Sequence, residues 1–299
     1  MKRKSLRIAT RKSPLAMWQA NWVKQQLAMH YPDVKIEFIR LVTEGDKKTE
    51  VALNQIGGKS LFVKELQAAL LSHEADLAVH SLKDLSVFPC LGLMLAAVCL
   101  REDPRDVLIA NNSCLLSQLP VNAIVGTSSP RRQFQLKAIR PDIIIKPLRG
   151  NIETRLAKLD RDEYSAIVLA CAGLKRLGLE NRIQQYLDPQ DFIPAIGQGA
   201  LGIEIREDDP DTLKLVSCLN HWETQQCVTA ERAVNQFLGG DCYSPIGAYA
   251  KLQSKQLFLQ ACFGDPANQH LIRAEGYGPV DQAEKIGRQV GEKLFAQMA

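Results

Sequence analysis

The chain lacks most features that mark metal-binding, disulfide-stabilised or membrane proteins. Its eight cysteines form no CxxC pair and its five histidines are scattered, which argues against a zinc site and a disulfide framework. No apolar run approaches the length of a membrane span, and charged residues interrupt the apolar core that a signal peptide would need near the N-terminus. Most cysteines lie in apolar runs typical of a protein core, so the cytoplasm is the expected compartment.

Positive charge is concentrated in one part of the sequence. The net charge is only +4, yet residues 126–155 carry seven lysines and arginines against two acidic residues. This segment is expected to meet an anion. Aromatic residues make up only 6% of the chain, and the arginines are spread over several predicted helix starts, so nucleic acid is a disfavoured partner.

Strand and helix patterns alternate along the first two-thirds of the chain, which is typical of doubly wound, largely parallel α/β sheets. Strands are predicted over 6–10, 35–43, 76–81, 122–127, 142–148, 165–170 and 200–208, and helices over 14–29, 60–73, 130–140, 151–160 and 172–179. The pattern then changes to a helix over 221–237, strands over 246–252, 256–263 and 270–277, and a helix over 280–298. This predicts a small α+β domain with a three-stranded antiparallel sheet.

Two connections contain glycines. Residues 43–60 are polar and long for a connection, so they are either functional or an ordinary surface excursion. The segment "FIPAIGQGALGIEI" joins the two predicted α/β units, and its glycines suit a hinge or a close backbone approach. It lacks the order of a phosphate-binding loop, and no nucleotide is predicted.

The segment "IVGTSSPRRQFQLKAI" predicts an anion receptor at a helix start. Hydroxyl residues occupy 127–129, where an N-cap is wanted, and Pro130 suits the first helical position. Unpaired N–H groups at the helix start, with Arg131 and Arg132, would bind carboxylate or phosphate. The alternative is a capped helix with two solvated arginines.

The same motif recurs twice. "IATRKSPLAMW" places Arg11 at a strand end and Ser13 as the N-cap of the next helix. "PLRGNIETRLAKL" places Arg149 after a strand, Asn151 as N-cap and Arg155 in the first helical turn. Ligands of open α/β sheets bind outside the carboxyl ends of the strands. Three anion sites there predict a ligand with several negative groups.

One carboxylate and one cysteine have positions that favour chemistry. In "DLAVHSLKDLSVF" a strand leads to Lys83 and Asp84, and a carboxylate among cations could stabilise developing positive charge or move a proton. The alternative is a surface Lys–Asp pair of little energetic value. In "NQFLGGDCYSPIGAY" Cys242 lies at a predicted turn tip, whereas a structural cysteine prefers the interior.

Together the motifs identify a family. In order along the chain they are "RIATRKSPLAMWQA", "VHSLKDL", "REDPRDVLIA", "VGTSSPRRQFQL", "LRGNIETRLAKL", "ACAGLKRLGL", "PAIGQGALGIE" and "TAERAVNQFLGGDCYSPIGAY". Over nearly its full length the chain resembles the porphobilinogen deaminase (hydroxymethylbilane synthase) family. The resemblance implies two lobes like those of type II periplasmic binding proteins, with domains over 1–99 plus 200–217, 105–193 and 220–299.

The resemblance further implies a transferase of tetrapyrrole (haem and porphyrin) biosynthesis. It would join four porphobilinogen molecules, with loss of ammonia, into hydroxymethylbilane. The growing chain would start on a covalent dipyrromethane cofactor held by a thioether at Cys242. The expected protein is a cytoplasmic monomer with no metal and no membrane partner.

Individual residues match functional positions of the family. Asp84 matches the catalytic aspartate, expected to face the pyrrole N–H groups, stabilise the azafulvene-like cation formed when ammonia leaves and assist proton transfer. The matches to cofactor-binding positions are Lys83, Thr127, Ser129, Arg131, Arg132 and Gly150. The matches to positions that bind substrate or product carboxylates are Arg11, Ser13, Gln19, Arg149, Arg155 and Arg176. Lys59 and Phe62 match the end of a mobile loop over the cleft, and Gln198 matches a hinge position in the cleft.

Four residues depart from the family pattern. Asp241 stands where glycine is common, Ser244 and Pro130 replace aliphatic residues, and Gln55 replaces a frequent lysine. A carboxylate beside Cys242 should disfavour its thiolate, so we expect slow cofactor loading. The competing interpretation, a non-catalytic anion-binding module, needs only the fold and the arginines and leaves Asp84 and Cys242 unexplained.

Overall fold

The computed structural model describes residues 5–43, 63–111, 114–241 and 243–298. Four residues singled out above lie outside these ranges: Gln55, Lys59, Phe62 and Cys242. The chain divides into two compact units, Met1–Glu102 with Ala200–Gln225 and Asp103–Gly199 with Gln226–Ala299. The chain passes between the units three times, at 102/103, 199/200 and 225/226, and the crossing at 199/200 falls within the predicted glycine-rich connection.

The described ranges contain these helices and strands. The strands are β1 (Ser5–Arg11), β2 (Lys35–Leu41), β3 (Leu77–Ser81), β4 (Leu93–Val98), β5 (Asp106–Ala110), β6 (Ile124–Gly126), β7 (Ile144–Lys146), β8 (Ala166–Ala170), β9 (Gln185–Tyr186), β10 (Leu201–Arg206), β11 (Ile246–Gln253), β12 (Gln256–Asp265) and β13 (His270–Pro279). The α-helices are α1 (Pro14–His30), α2 (Lys64–Leu71), α3 (Pro130–Ile139), α4 (Ile152–Asp160), α5 (Cys171–Arg176), α6 (Pro210–Val216), α7 (Trp222–Phe237) and α8 (Ala283–Phe295).

The first unit is built on a five-stranded sheet in the order β2-β1-β3-β10-β4. β1 pairs in parallel with β2 and β3, whereas β10 is antiparallel to β3 and β4. Leu6 and Ile8 of β1 pack with Val23 and Leu27 of α1 in the buried core. Because β1 and β3 are parallel neighbours, their carboxyl ends open at the same edge of the sheet.

The second unit contains a sheet of the same design, in the order β7-β6-β8-β5-β9. β6 pairs in parallel with β7 and β8, and β5 is antiparallel to β8 and β9. In both sheets, therefore, an antiparallel strand separates three parallel strands from the edge strand. The prediction of two largely parallel α/β lobes is confirmed, with one antiparallel strand added to each.

Residues beyond 226 add a small α+β domain. β11, β12 and β13 form an antiparallel sheet in chain order, as predicted, and α8 covers it with Ile286, Val290 and Leu294 in a shared core. This domain clusters with 103–199 in one compact unit. The division into three domains with the boundaries given above stays a prediction.

Four elements were not predicted: β4, β5, β9 and α6. β5 is five residues long and buried at every position, so it shows no alternation of polar and apolar residues. β4 lies in the run "LMLAAVCL", which the sequence indicated only as core. β9 has two residues, too few to produce a periodic pattern.

Candidate functional site

Ser13 caps the helix that follows the first strand. β1 ends at Arg11, and Ser13 Oγ accepts a hydrogen bond from the backbone N–H of Ala16 at 3.4 Å. Pro14 is the first helical residue, so the predicted start of α1 is confirmed. Arg11 and Ser13 are both half-buried at this edge of the first sheet.

Gln19 and Ser81 join helix α1 to the end of β3. The Gln19 side chain is buried, and its Nε2 donates to Ser81 Oγ at 2.7 Å. Residues Leu82–Asp84 form a 3-10 turn immediately after β3, and Leu82 N donates to the carbonyl of Ala200 at 3.1 Å. The turn that carries Asp84 is therefore held on both sides.

Asp84 is half-buried and keeps its carboxylate available. Within the described ranges it makes no hydrogen bond or ion pair, with Lys83 or with any other residue. The structure gives no Lys83–Asp84 ion pair within these ranges, so it does not support the alternative of a Lys–Asp surface pair. A carboxylate at a strand end that has no partner among the described residues is a candidate to interact with a ligand.

Behind β3 lies a buried polar cluster that sequence reasoning missed. His80 Nε2 is 3.0 Å from Glu204 Oε2, and Glu204 Oε1 accepts from Gln67 Nε2 at 2.9 Å. His80 and Glu204 are each only 4% exposed. The cluster links β3, β10 and α2, and it supports the strand that leads to Asp84.

The N-terminus of α3 carries three hydroxyl residues with different roles. Ser128 Oγ bridges the backbone N–H and carbonyl of Leu148 at 3.1 and 3.0 Å. Thr127 Oγ1 accepts from the N–H of Ser129 at 3.2 Å. Ser129 is the N-cap residue, as predicted, but its side chain makes no capping bond. The first turn of α3 therefore retains N–H donors for a ligand.

Arg131 and Arg132 are buried, 3% and 7% exposed, so the alternative of two solvated arginines is wrong. Both guanidinium groups pair with the buried carboxylate of Asp106, at 2.8 and 2.7 Å. Burial lowers the pKa of Arg132, and the opposing attraction of Asp106 does not offset it fully. The predicted cofactor-binding role of these arginines stays a prediction, with Asp106 now added to their surroundings.

The third predicted anion motif has the expected helix cap. Asn151 Oδ1 accepts from the N–H of Thr154 at 2.8 Å, which confirms Asn151 as the N-cap of α4. Arg155 Nε donates to the carbonyl of Gly150 at 2.7 Å. Gly150 has φ +110°, a conformation that L side chains rarely adopt, so glycine is required there. Arg149 lies beside it and is half-buried.

Arg176 and Gln198 bind the backbone of the second unit. Arg176 Nη2 donates to the carbonyl of Gly199 at 2.7 Å. Gln198 is 1% exposed, and its Nε2 donates to the carbonyl of Pro104 at 2.7 Å and to Asp106 Oδ1 at 3.1 Å. Gln198 thus ties the predicted hinge segment to the start of β5.

The cysteines with resolved shifts are poor nucleophiles. Burial raises the pKa of Cys171 to about 12 and that of Cys262 to about 11. Burial also raises the pKa of Cys90 and of Cys218, although Cys218 is exposed. Since the thiolate is the reactive form, these four are disfavoured as attachment points.

Two further classes of site are not found in the described part of the chain. No group of three or more His, Cys, Asp or Glu in residues 5–43, 63–111, 114–241 and 243–298 could hold a metal ion. None of the helices in these ranges is both long and apolar enough to span a membrane.

Comparison with known proteins gives a consistent result. The family model for "Porphobilinogen deaminase, dipyromethane cofactor binding domain" matches residues 6–214, and the model for "Porphobilinogen deaminase, C-terminal domain" matches residues 225–296. The porphobilinogen deaminase of Coxiella burnetii strain Dugway 5J108-111 is 53% identical over 297 residues, which cover 99% of this chain and 96% of that protein. Strain RSA 493 has a porphobilinogen deaminase with the same identity and coverage.

Solved structures show weaker similarity. The VFT2 domain of Bordetella pertussis BvgS has a TM-score of 0.46 at 14% identity, covering 77% of this chain and 92% of that one. The periplasmic aliphatic sulphonate binding protein SsuA of Escherichia coli has a TM-score of 0.41 at 16% identity, covering 79% and 71%.

Proposed function

Because the chain belongs to the porphobilinogen deaminase family, we propose that Asp84 and Cys242 carry out the family's reaction here. The reaction is that of a hydroxymethylbilane synthase, a transferase that polymerises porphobilinogen with loss of ammonia in tetrapyrrole biosynthesis. The family's cofactor is dipyrromethane. The roles of individual residues below, a monomeric state, a cytoplasmic location and the absence of a nucleic-acid partner are parts of the proposal.

The residues of the second unit fit an anionic cofactor. Dipyrromethane carries acetate and propionate groups, and when bound it is the primer to which substrate units are added. The first turn of α3 retains N–H donors, and Ser129 Oγ makes no capping bond. Arg131 and Arg132 bring two positive charges against one carboxylate. These groups, with Thr127 and Gly150, would hold cofactor carboxylates. Lys83 of the first unit is proposed as a cofactor-binding residue only from its match to the family position.

The position of the Asp84 carboxylate is the observation that supports the proposed chemistry. Positive charge develops on the pyrrole of porphobilinogen as ammonia leaves, and a fixed carboxylate stabilises it without further reorganisation. The Asp84 carboxylate has no partner in the described part of the chain, so it can accept pyrrole N–H groups or move a proton. The Gln19–Ser81 bond holds the strand that delivers it.

Arginines near the strand ends would bind the carboxylates of substrate and product. Arg11 is the last residue of β1, Arg149 precedes Gly150, Arg155 lies in the first turn of α4, and Arg176 ends α5. A growing chain with two carboxylates per pyrrole needs several such cations. In this proposal Ser13 and Gln19 bind with them, Lys59 and Phe62 end a loop over the substrate, and Gln198 serves at the hinge.

Cys242 is proposed as the tether because it matches the attachment position of the family, and four other cysteines are disfavoured. Burial raises the pKa of Cys90, Cys171, Cys218 and Cys262, which disfavours their thiolates. In the sequence Cys242 stands between Asp241 and Tyr243, five residues after α7 ends at Phe237. A thioether there would join the primer to the C-terminal domain.

The mass of the intact protein under denaturing conditions tests this function. Wild type should carry an excess equal to two porphobilinogen units less two ammonias, and Cys242→Ser should lack it. Cys218→Ser is the matched control, because Cys218 is an exposed cysteine within the described residues, and it should keep the excess. An unmodified wild-type mass from a porphobilinogen-producing host, with no ammonia released on adding porphobilinogen, would instead favour a binding module.

A further inference from the structure

At the start of β5 lies a buried cluster of charged side chains with two positive charges and one negative charge. Asp106 is 0% exposed, and Arg131 and Arg132 are 3% and 7% exposed. Two guanidinium groups therefore share one carboxylate in the interior of the second unit. Buried charges are ordinarily paired, because burial without a counter-ion is costly. One positive charge in this cluster is left without an internal counter-ion among these three residues.

Asp106 fixes the orientation of both guanidinium groups. Its Oδ1 accepts from Nε and Nη2 of Arg132 at 3.0 and 2.7 Å. Its Oδ2 lies 2.8 Å from Nη2 of Arg131, in an ion pair that is not aligned as a hydrogen bond. The carboxylate therefore bridges the two arginines and sets them side by side.

Two backbone carbonyls also hold the guanidinium groups of Arg131 and Arg132. Arg132 Nη1 donates to the carbonyl of Val168 at 2.8 Å, and Arg131 Nη1 donates to the carbonyl of Ile193 at 2.6 Å. Gln198 donates to Asp106 Oδ1 at 3.1 Å, which fixes the carboxylate in turn. Each guanidinium has five N–H donors, so both retain donors beyond these bonds.

We propose that Asp106 is a positioning residue for cofactor loading. It would orient Arg131 and Arg132 toward a single incoming carboxylate and leave the cluster with one surplus positive charge to receive it. The proposal rests on the proposed function, in which these arginines hold a carboxylate of dipyrromethane. Asp106 itself need not contact the cofactor.

A pure charge effect and a positioning effect predict opposite changes in the rate of cofactor loading for Asp106→Asn. The substitution keeps the shape and one oxygen but removes the negative charge, so a charge-only account predicts faster capture of an anion. Positioning predicts slower capture, because Arg131 loses its ion pair. We expect loading to slow about tenfold or more, since small misplacements of binding groups are costly.

The experiment follows the mass of full-length apo-protein after porphobilinogen is added, for wild type, Asp106→Asn, Asp106→Glu and Asp142→Asn. Asp142 pairs with Arg140 at 2.6 Å near the surface of the same unit, so its variant controls for net charge. Asp106→Glu should recover part of the loading rate, which a purely structural effect of lost packing would not give. Loading by Asp106→Asn at or above the wild-type rate would overturn the proposal.

Two further variants complete the test. One applies if Asp106→Asn misfolds, and the other separates this proposal from the proposed function. Should Asp106→Asn not fold, Gln198→Leu removes the bonds from Gln198 to Asp106 and to the Pro104 carbonyl without changing the charge. Slower loading by this variant supports positioning, and an unchanged rate overturns it. Arg132→Gln separates the two proposals. If it loads like wild type, the assigned role of the arginine fails and the Asp106 proposal fails with it; if it loads slowly while Asp106→Asn loads normally, only the Asp106 proposal fails.

Discussion

Asp241 Oδ1 accepts a hydrogen bond from Ser244 Oγ at 3.0 Å, and so joins two residues that depart from the family pattern on either side of Cys242. The same Oδ1 accepts from the N–H of Tyr243 at 2.9 Å, and Ser244 Oγ lies 2.9 Å from the N–H of Asp241. The two departures are therefore one structural feature. The Asp241 carboxylate therefore fixes the backbone at Tyr243 and the side chain of Ser244, in addition to carrying a charge.

Asp241→Asn should separate the charge from these hydrogen bonds. The amide keeps an oxygen for Ser244 and Tyr243 but carries no charge, so the Cys242 thiolate becomes easier to form. We expect the apo-protein to load cofactor about threefold faster, the size of a Coulomb effect across a short distance in water. Loading is followed by intact mass after addition of porphobilinogen.

Ser244→Ala is the counterpart, because it removes the side-chain hydrogen bonds of Ser244 and leaves the charge. Loading by this variant should be no faster than in wild type. Equal rates of cofactor loading for wild type and Asp241→Asn would contradict the hypothesis that the carboxylate slows loading.

Local features of the site were predictable from the sequence, whereas buried partnerships were not. Ser13 and Asn151 were identified as N-caps because a cap acts on a backbone group three residues away. The direction of Arg132 depends on Asp106, 26 residues away, and His80 pairs with Glu204 across 124 residues. A periodic sequence pattern cannot predict such contacts, because they form only when helices and strands from separate parts of the chain meet.

Asp106 illustrates the same limit. It lies in the motif "REDPRDVLIA", which helped to identify the family, yet nothing local distinguishes it from a solvated aspartate. It begins a strand of five buried residues, and its carboxylate contacts Arg131, Arg132 and Gln198 from distant parts of the chain. The sequence could indicate that Arg131 and Arg132 meet a carboxylate, but not that the protein supplies one.

Gly247→Ala should disturb Arg131 through packing. A Cβ at Gly247 would lie 2.9 Å from Cys262 Sγ, 3.0 Å from the carbonyl oxygen of Ile193 and 3.1 Å from Arg131 Cδ. The Ile193 carbonyl also accepts a hydrogen bond from Arg131, so a shift there would disturb the guanidinium group. We expect unfolding free energy to fall by about 1–3 kcal/mol and cofactor loading to slow.

Gly278→Ala is the matched control in the same sheet. Its Cβ would meet only the flexible end of Ile286, at 3.1 Å. Urea denaturation and intact mass should show a smaller loss of stability and normal loading. If the two glycine variants behave alike, Gly247 has no special relation to Arg131.

Asp103 should make stability depend on pH at the acid end. Burial opposes ionisation of Asp103, but hydrogen bonds from Arg105 outweigh it and lower the pKa of the carboxyl below 3.8. The folded state thus binds this proton more weakly than the unfolded state. Its contribution to stability is complete above the unfolded-state pKa and is lost as the pH falls through the lower folded-state pKa.

Urea denaturation of wild type and Asp103→Asn across this range measures the effect. The difference in unfolding free energy between them should be constant near neutral pH and shrink below about pH 4. Arg105→Gln, which removes the donors and keeps Asp103, should flatten the same part of the wild-type profile. A difference that stays constant down to pH 2 would contradict the assignment.

Gln19 can act on catalysis by either of two routes, and Gln19→Leu distinguishes them. The family resemblance assigns Gln19 to carboxylate binding, which predicts a higher KM at unchanged kcat. The structure buries its amide and directs Nε2 to Ser81 Oγ at 2.7 Å, three residues before Asp84. Loss of that bond should cost about 1–2 kcal/mol of stability and lower kcat by misplacing Asp84.

We expect the kcat effect to dominate, because the Gln19 side chain is 3% exposed and has little surface left for a substrate carboxylate. Asn21→Leu serves as the control, since Asn21 lies on the same helix with an exposed amide bonded to the carbonyl of Met17. Steady-state kinetics of the cofactor-loaded enzymes gives both constants. A raised KM with unchanged kcat would indicate that Gln19 binds the substrate. The Gln19–Ser81 bond would then connect α1 to β3 without a measurable influence on Asp84.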